Sequence, residues 1–486
     1  MKSGKLRLFA LLPVLASLIL LYFDIFPQSY RTRCSLIEYR HYWIASKRIV
    51  TPSAVISGAV EVKGGKIKSI VEGDDWRANT WTKQVIDYGE AVIMPGLIDV
   101  HAHLDDPGRT EWEGFPSGTR AAAAGGITTL IDMPLNNFPS TVSEETLKLK
   151  TKAAQGRIFV DVGFWGGLVP ENAFNATSLE RLLEAGALGL KSFMCPSGIN
   201  DFPMTNSSHI KEEAAIKELL TITKDTRAGG SSEGAHLHIV HLADARSSLQ
   251  LIKEAKSSGD RITVETCPHY LAFSAEEIPD GDTRFKCAPP IRDADNREKL
   301  WAALLDGDID MLSSDHSPSA PELKLFNEGN FLRAWGGISS LQFVLPVTWS
   351  YGRKHGISLH QLVSWWSEKP AKLAGQDLKG AIVTGNHADI VVWEPEVEFE
   401  LDDNHPVFLK HPNISAYMGS KLSGKVLATF VRGNLVYQEG GSMPPLLVVS
   451  QYWPHEDGSK DGLAAVGNNA LELSAHNPGC ELLELL

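Results

Sequence analysis

Apolar and polar residues alternate along "AVISGAVEVKGGKIKSIVEG", and the Gly64-Gly65 pair sits where the pattern folds back, so the stretch reads as two short β-strands around a tight turn. "KQVIDYGEAVIMPG" adds another strand, which makes residues 43–94 a small all-β region. The same signature returns in "HADIVVWEP" and "GKVLATFVRGNLVYQEG" within residues 376–440. Two β segments at opposite ends of a long middle predict one small β-sandwich assembled from both. Within residues 95–375, the apolar runs "LIDVHAH", "ITTLIDM", "IFVDVGFW", "LGLKSFM", "HLHIVHL", "RITVETC" and "DIDMLSSD" alternate with helical stretches. That is the pattern of parallel β/α units. Closed into a ring, they form a TIM-like (β/α)8 barrel, yet seven runs are present rather than eight. Between "LGLKSFM" and "HLHIVHL" the chain offers only a loop and the helix-like "HIKEEAAIKELLTITKDT", so the barrel is expected to be incomplete by one strand. Residues 441–486 lose all periodicity and read as a divergent tail.

A chain of 486 residues that is 43% hydrophobic can bury a large core. Its net charge of −13, with no basic block, excludes a nucleic-acid partner, which needs a positive face to displace counterions. A small, neutral or weakly charged substrate fits better. The five cysteines are scattered without paired spacing, so neither a disulfide framework nor a thiolate zinc site is indicated. At the start, Lys2, Lys5 and Arg7 precede "LFALLPVLASLILLYFDIF". Residues 1–30 therefore read as an uncleaved signal anchor, which places the protein in the endoplasmic reticulum or secretory pathway, membrane-anchored with a lumenal body. A mitochondrial presequence or a soluble apolar helix is the alternative. Glycosylation acceptors at Asn175, Asn206 and Asn413 agree with a lumenal body, although the tripeptide is common by chance.

In a parallel barrel, polar side chains at the C-terminal ends of strands face the site. His101 and His103 end the first strand on one face of it, and two imidazoles so placed can reach one divalent ion or can be ordinary polar residues. Lys191 lies in an apolar strand, where an ammonium must be justified. It reaches polar loops at the barrel mouth, or carbon dioxide converts it to a carbamate able to bridge metals. Of the three histidines in "AHLHIVHLADA", His241 is last and is the candidate ligand, whereas His236 and His238 read as packing or hydrogen-bonding residues. Asp315 ends the last strand, where a carboxylate can bind a metal and accept a proton from an activated water.

"MPGLIDVHAHL", "GALGLKSFM", "VETCPHYL", "KCAPPIRD" and "SSDHSP", in this order, resemble the cyclic-amidohydrolase branch of the amidohydrolase superfamily, and within it the plant-type allantoinases, over about residues 43–438. The resemblance implies a metal-dependent hydrolase barrel with a small β-sandwich and two divalent metal ions, zinc foremost. It also implies a homo-oligomer that hydrolyses the cyclic amide of allantoin to allantoate in purine catabolism. By motif, His101 and His103 would bind the first metal, carboxylated Lys191 would bridge, His241 would bind the second, and Asp315 would be ligand and general base. Dihydroorotases resemble H-x-H-x-R, an arginine for a substrate carboxylate, and here that place is Asp105. Arg109 in "DPGR" is either a substrate-binding residue or a structural loop ion pair. Cys287 and Pro290 of "KCAPPIRD" would lie against the substrate. The family's fourth metal histidine comes from a V-H-A-E segment between the lysine and "HLHIVH" strands, and this chain has none, as though a block had been skipped between Glu212 and Glu213. The second metal is therefore expected to be weak or absent, and the chain's activity is in doubt. A hydantoinase or dihydropyrimidinase, or a catalytically impaired assembly or regulatory member, stays open beside the allantoin reading.

Overall fold

The computed structural model describes residues 41–73, 84–193, 196–205, 224, 227 and 234–441. Strands β1 (His41–Val50), β2 (Val55–Lys63), β3 (Lys66–Glu72), β4 (Gln84–Asp87) and β5 (Val92–Pro95) open the chain. The parallel strands follow: β6 (Leu97–Ala102), β7 (Ile127–Asp132), β8 (Asp161–Phe164), β9 (Gly166–Gly167), β10 (Leu190–Lys191), β11 (Leu237–Ile239), β12 (Ile262–Thr266) and β13 (Met311–Leu312). β14 (Ile390–Glu400), β15 (Lys421–Val431) and β16 (Asn434–Gln438) close it.

The two ends join in one eight-stranded sheet of order β16-β15-β14-β5-β1-β2-β3, with β4 on β1. The seam is β14 running antiparallel to β5, with Ile390 opposite Pro95 and Val392 opposite Ile93. Alternating β-branched residues produce it, because Ile44, Val60 and Ile93 from one end and Ile390, Val392 and Phe430 from the other fill one apolar cluster. Each such side chain contributes roughly 1.5–3 kcal/mol on full burial. Below the seam, Lys379 is buried between Asp161 at the start of β8 and Asp389 just before β14, and Arg432 also reaches Asp161 at 2.9 Å. This buried ion cluster fastens the base of the barrel to the sheet.

The parallel strands form three groups, β6-β7-β8, β9-β10 and β11-β12-β13. The first and last meet where Ala102 bridges His316 in parallel, so β6 and the segment after β13 are neighbours and the ring closes on that side. On the other side, β10 pairs with β9 and β11 pairs with β12, and the described residues between Lys191 and Leu237 carry no strand. Helix α1 (Phe115–Ala124) links β6 to β7, and α2 (Glu144–Ala154) starts at a Ser143–Thr146 capping box before β8. After α1 the chain must turn sharply. Gly125 has no room for a Cβ, which would meet the Leu341 and Gln342 carbonyls at 2.8 Å, and Gly126 takes φ 86°.

The expected anchor over residues 1–30 and nearly all of the tail lie outside the described residues. The expectation of membrane anchoring, with its endoplasmic-reticulum or secretory-pathway location, is corrected: no helix among the described residues is long and apolar enough to cross a membrane. The longest described helix, Ala294–Asp306, has 13 residues. It rises about 20 Å, well short of a hydrocarbon core of roughly 30 Å.

Candidate metal centre

His101 lies on β6 and His103 just beyond its end, and both are buried. A buried carboxylate, Asp99, holds this strand end in place: its Oδ1 accepts from the His101 N–H at 3.2 Å and from the Ser314 N–H at 3.0 Å. Ser314 Oγ donates in turn to the His101 carbonyl at 3.2 Å. These bonds stitch β6 to the segment that carries Asp315. Burial pushes the Asp99 carboxyl up to about 6, although hydrogen bonding from Ser314 and His101 favours its charged form.

Asp315 Oδ1 is 3.3 Å from His101 Nε2 and 3.8 Å from His103 Nε2. Bonds of about 2.0–2.1 Å to a tetrahedral zinc place neighbouring ligand atoms roughly 3.3 Å apart, so these three side chains fit one ion. Burial is the main cause that lifts the Asp315 carboxyl to about 6, against the attraction of His101. Burial, then the neighbouring His101 and Lys191, pushes the His103 imidazole well below its ordinary value, which favours the neutral form a metal requires.

Glu265 on β12 orients this pair, and sequence reasoning gave it no role. Its Oε1 accepts from His101 Nδ1 at 2.6 Å, which leaves Nε2 as the nitrogen available to a metal. Its Oε2 lies 3.2 Å from His238 Nε2, and the His241 N–H reaches Oε1 at 3.3 Å. Burial alone would raise this carboxyl, but His101 and His238 hold it well below the usual carboxylate range. The signal was available: a glutamate inside the apolar run "RITVETC" raises the same question as Lys191. His236 and His238 are hydrogen-bonding residues, both on Thr263 Oγ1, at 2.9 and 2.7 Å.

The remaining candidates are placed less closely. His241 follows β11 at a left-handed φ of 38°, half-buried, with its ring 5.4 Å from that of His101. Lys191 ends β10, buried, with its Nζ 4.8 Å from the centre of the Phe193 ring. Both exert or feel the field of the histidine pair, since Lys191 and His101, after burial, push His241 well below its ordinary value. Neither joins the compact set of His101, His103 and Asp315.

Arg109 donates to the Asn136 and Asn137 carbonyls at 2.9 and 3.3 Å and pairs with Asp201 at 3.2 Å. It also lies over the Trp112 ring, so it clamps the loop that follows the histidines. The same loop is tied to β7 by Asp132, whose Oδ1 accepts from the Leu104 N–H at 2.8 Å and whose Oδ2 pairs with buried Lys150 at 2.7 Å. Asp105 is buried at a left-handed φ of 60°, and burial drives its carboxyl well above the usual range. Cys287 is buried and its thiol is pushed up to about 12, by burial and then by Asp315, whereas Pro290 is exposed.

Two family models cover the described core: "Allantoinase, composite domain" over residues 37–91 and "Amidohydrolase family" over residues 92–436. An allantoinase of Arabidopsis thaliana is 64% identical over 482 residues, covering 88% of this chain and 95% of the relative. A probable allantoinase of rice is 62% identical over 491 residues, covering 90% of this chain and 97% of the relative. That alignment is longer than this chain, so the rice protein fills positions that have no counterpart here. Among solved structures, an L-hydantoinase from Arthrobacter aurescens aligns with TM-score 0.72 and 27% identity, over 84% of this chain and 98% of that one. A dihydropyrimidinase from Brevibacillus agri aligns with TM-score 0.70 and 25% identity, over 84% and 97%. By these matches and by the histidine pair and aspartate at its strand ends, the chain belongs to the amidohydrolase family, among the allantoinases.

Proposed function

We propose that this chain hydrolyses the cyclic amide of allantoin to allantoate. The observation that carries the reading is the convergence of His101, His103 and Asp315 at the ends of β6 and β13, in a chain 64% identical to an allantoinase. His101, His103 and Asp315 would hold one divalent ion, zinc foremost, carboxylated Lys191 would bridge it to a second, weaker one, and His241 would hold that second ion. Such ions polarise a carbonyl and lower the pKa of water. Asp315, ionised at neutral pH, takes the proton from the attacking water and returns it to the leaving ring nitrogen. Glu265 keeps the His101 ring aligned through the reaction.

Arg109 acts as a positioning residue for the loop after the histidines, because its guanidinium is spent on two carbonyls and Asp201. Cys287, buried near Asp315, is the better of the two candidates for a wall of the substrate pocket, and exposed Pro290 the poorer. A homo-oligomer belongs to the same proposal and is checked by sizing the purified chain.

The hydantoinase or dihydropyrimidinase alternative uses the same site. Zinc-reconstituted protein should release allantoate from allantoin faster than it opens dihydrouracil. Faster opening of dihydrouracil would sink the allantoin reading, and a folded, metal-loaded chain that turns over neither would leave the assembly or regulatory role.

A further inference from the structure

Behind the histidine pair lies a second cluster of metal-ligating atoms. Cys267 follows β12, His269 lies two residues on in the short helix Pro268–Ala272, and both point toward Asp315. One ligand atom from each of Cys267, His269 and Asp315 lies within 4.8 Å of the others, and all three residues are buried. His269 is fully enclosed, yet neither of its ring nitrogens has a hydrogen-bond partner. A buried imidazole with both nitrogens unsatisfied is costly, because it has given up water without gaining a partner. Its neighbours offer no relief: the Tyr270 ring packs edge-on at 4.1 Å, and the Tyr270 hydroxyl is committed to the Pro289 carbonyl at 2.7 Å. The Cys267 thiol has a weak contact of 3.7 Å with Ser313 Oγ.

We propose that Cys267 Sγ, a ring nitrogen of His269 and a carboxylate oxygen of Asp315 form a thiolate-containing site for a soft or borderline divalent cation of the zinc or cadmium class. Thiolate and imidazole suit such ions, with zinc–sulfur bonds of about 2.3 Å and zinc–nitrogen bonds of about 2.0–2.1 Å. Ligand atoms at those lengths stand roughly 3.3–3.7 Å apart, so the cluster closes on an ion with about 1 Å of side-chain movement. On binding, the sulfur–metal bond forms and the thiol proton leaves to solvent. Asp315 is shared with the histidine pair, so the two sites are adjacent and one carboxylate links them. The sulfur ligand lies on the side of the mouth that carries the histidine pair, through the Asp315 that both sets share. The site is inferred from ligand geometry and does not require allantoin as substrate.

The test is a titration of the metal-stripped full-length chain with cobalt(II) alone, followed in the near ultraviolet, where a thiolate-to-cobalt charge-transfer band reports sulfur ligation. The wild-type chain should develop that band. Cys267→Ser should abolish it, His269→Gln should lower the cobalt affinity read from it at least about tenfold, and Cys287→Ser should leave it intact. A wild-type chain that saturates with cobalt without the band overturns the site, as does a band that survives Cys267→Ser. Allantoin turnover, measured separately, leaves this outcome unchanged, so a failed substrate reading and a failed cation site are told apart.

Discussion

The two sides of the barrel mouth are built differently. Where β6, β12 and β13 meet, His101 is held by buried partners on two sides: Asp99 and Ser314 fix its backbone, Glu265 fixes its ring, and the Ala102–His316 bridge closes the ring of strands. His316 itself is pinned, its Nδ1 accepting from the Ser340 and Leu341 N–H groups at 3.0 and 3.3 Å. On the other side, Lys191 ends a strand of two residues and His241 lies two residues beyond a strand of three, and the described pairing of these strands is with β9 and β12, not with each other. On the proposed two-ion reading, His101, His103 and Asp315 are gathered before any ion arrives, whereas Lys191 and His241 would have to be drawn in by it. Orientation supplied by the fold lowers the cost of binding, so the two halves should differ in affinity and in sensitivity to mutation.

The strongest way to sharpen this contrast is Asp315→Ala. It should lower kcat by roughly 10³-fold, the scale of a lost proton-transfer group, while the histidine pair retains an ion. Normal turnover of allantoin by that variant would dismiss Asp315 as the base. Next in size, Glu265→Gln should weaken the tighter of two metal-binding steps by about 10–100-fold in a calorimetric titration, because His101 loses the carboxylate that aligns it. His241→Ala should alter only the weaker step. Two equally tight steps in the unmodified chain would erase the distinction between the halves.

A smaller effect is expected from Asp99→Ala, which leaves the His101 and Ser314 N–H groups without their acceptor. It should cost about 2–3 kcal/mol, read as a lowered denaturation midpoint. The least effect concerns the β11 side. Burial, then His238, lowers the His236 imidazole from 6.5 to about 4. A histidine depressed in the fold binds its proton more readily when unfolded, so its contribution to stability is complete above pH 6.5 and is lost as pH falls toward about 4. His236→Gln, which keeps a polar partner for Thr263 and cannot titrate, should gain about 1–2 kcal/mol over the wild type near the bottom of that window and little at neutral pH. Parallel pH–stability curves would remove His236 from the account.

Strand ends were legible in the sequence because parallel β/α units leave a plain trace, an apolar run closed by a polar residue. His101, His103 and Asp315 were found that way, and the structure brings them within ligand distance. Asp99 and Glu265 were missed because they act across strands, and a partner distant in sequence, such as Ser314 for Asp99, leaves no local periodicity. Arg109 was legible as a residue with a purpose, and its contacts with two carbonyls and Asp201 favour the loop clamp that the sequence left beside a substrate role. The anchor was read from residues 1–30, which lie outside the described residues, and no described helix is long and apolar enough to cross a membrane.

The seam between β5 and β14 has a consequence for synthesis. Pro95 is paired with Ile390, so the first strands to leave the ribosome wait for almost the whole chain before their sheet can be finished. Until then β5 has an open edge that other nascent chains can pair with, and the arrival of β14, rather than early collapse, sets when that edge is covered.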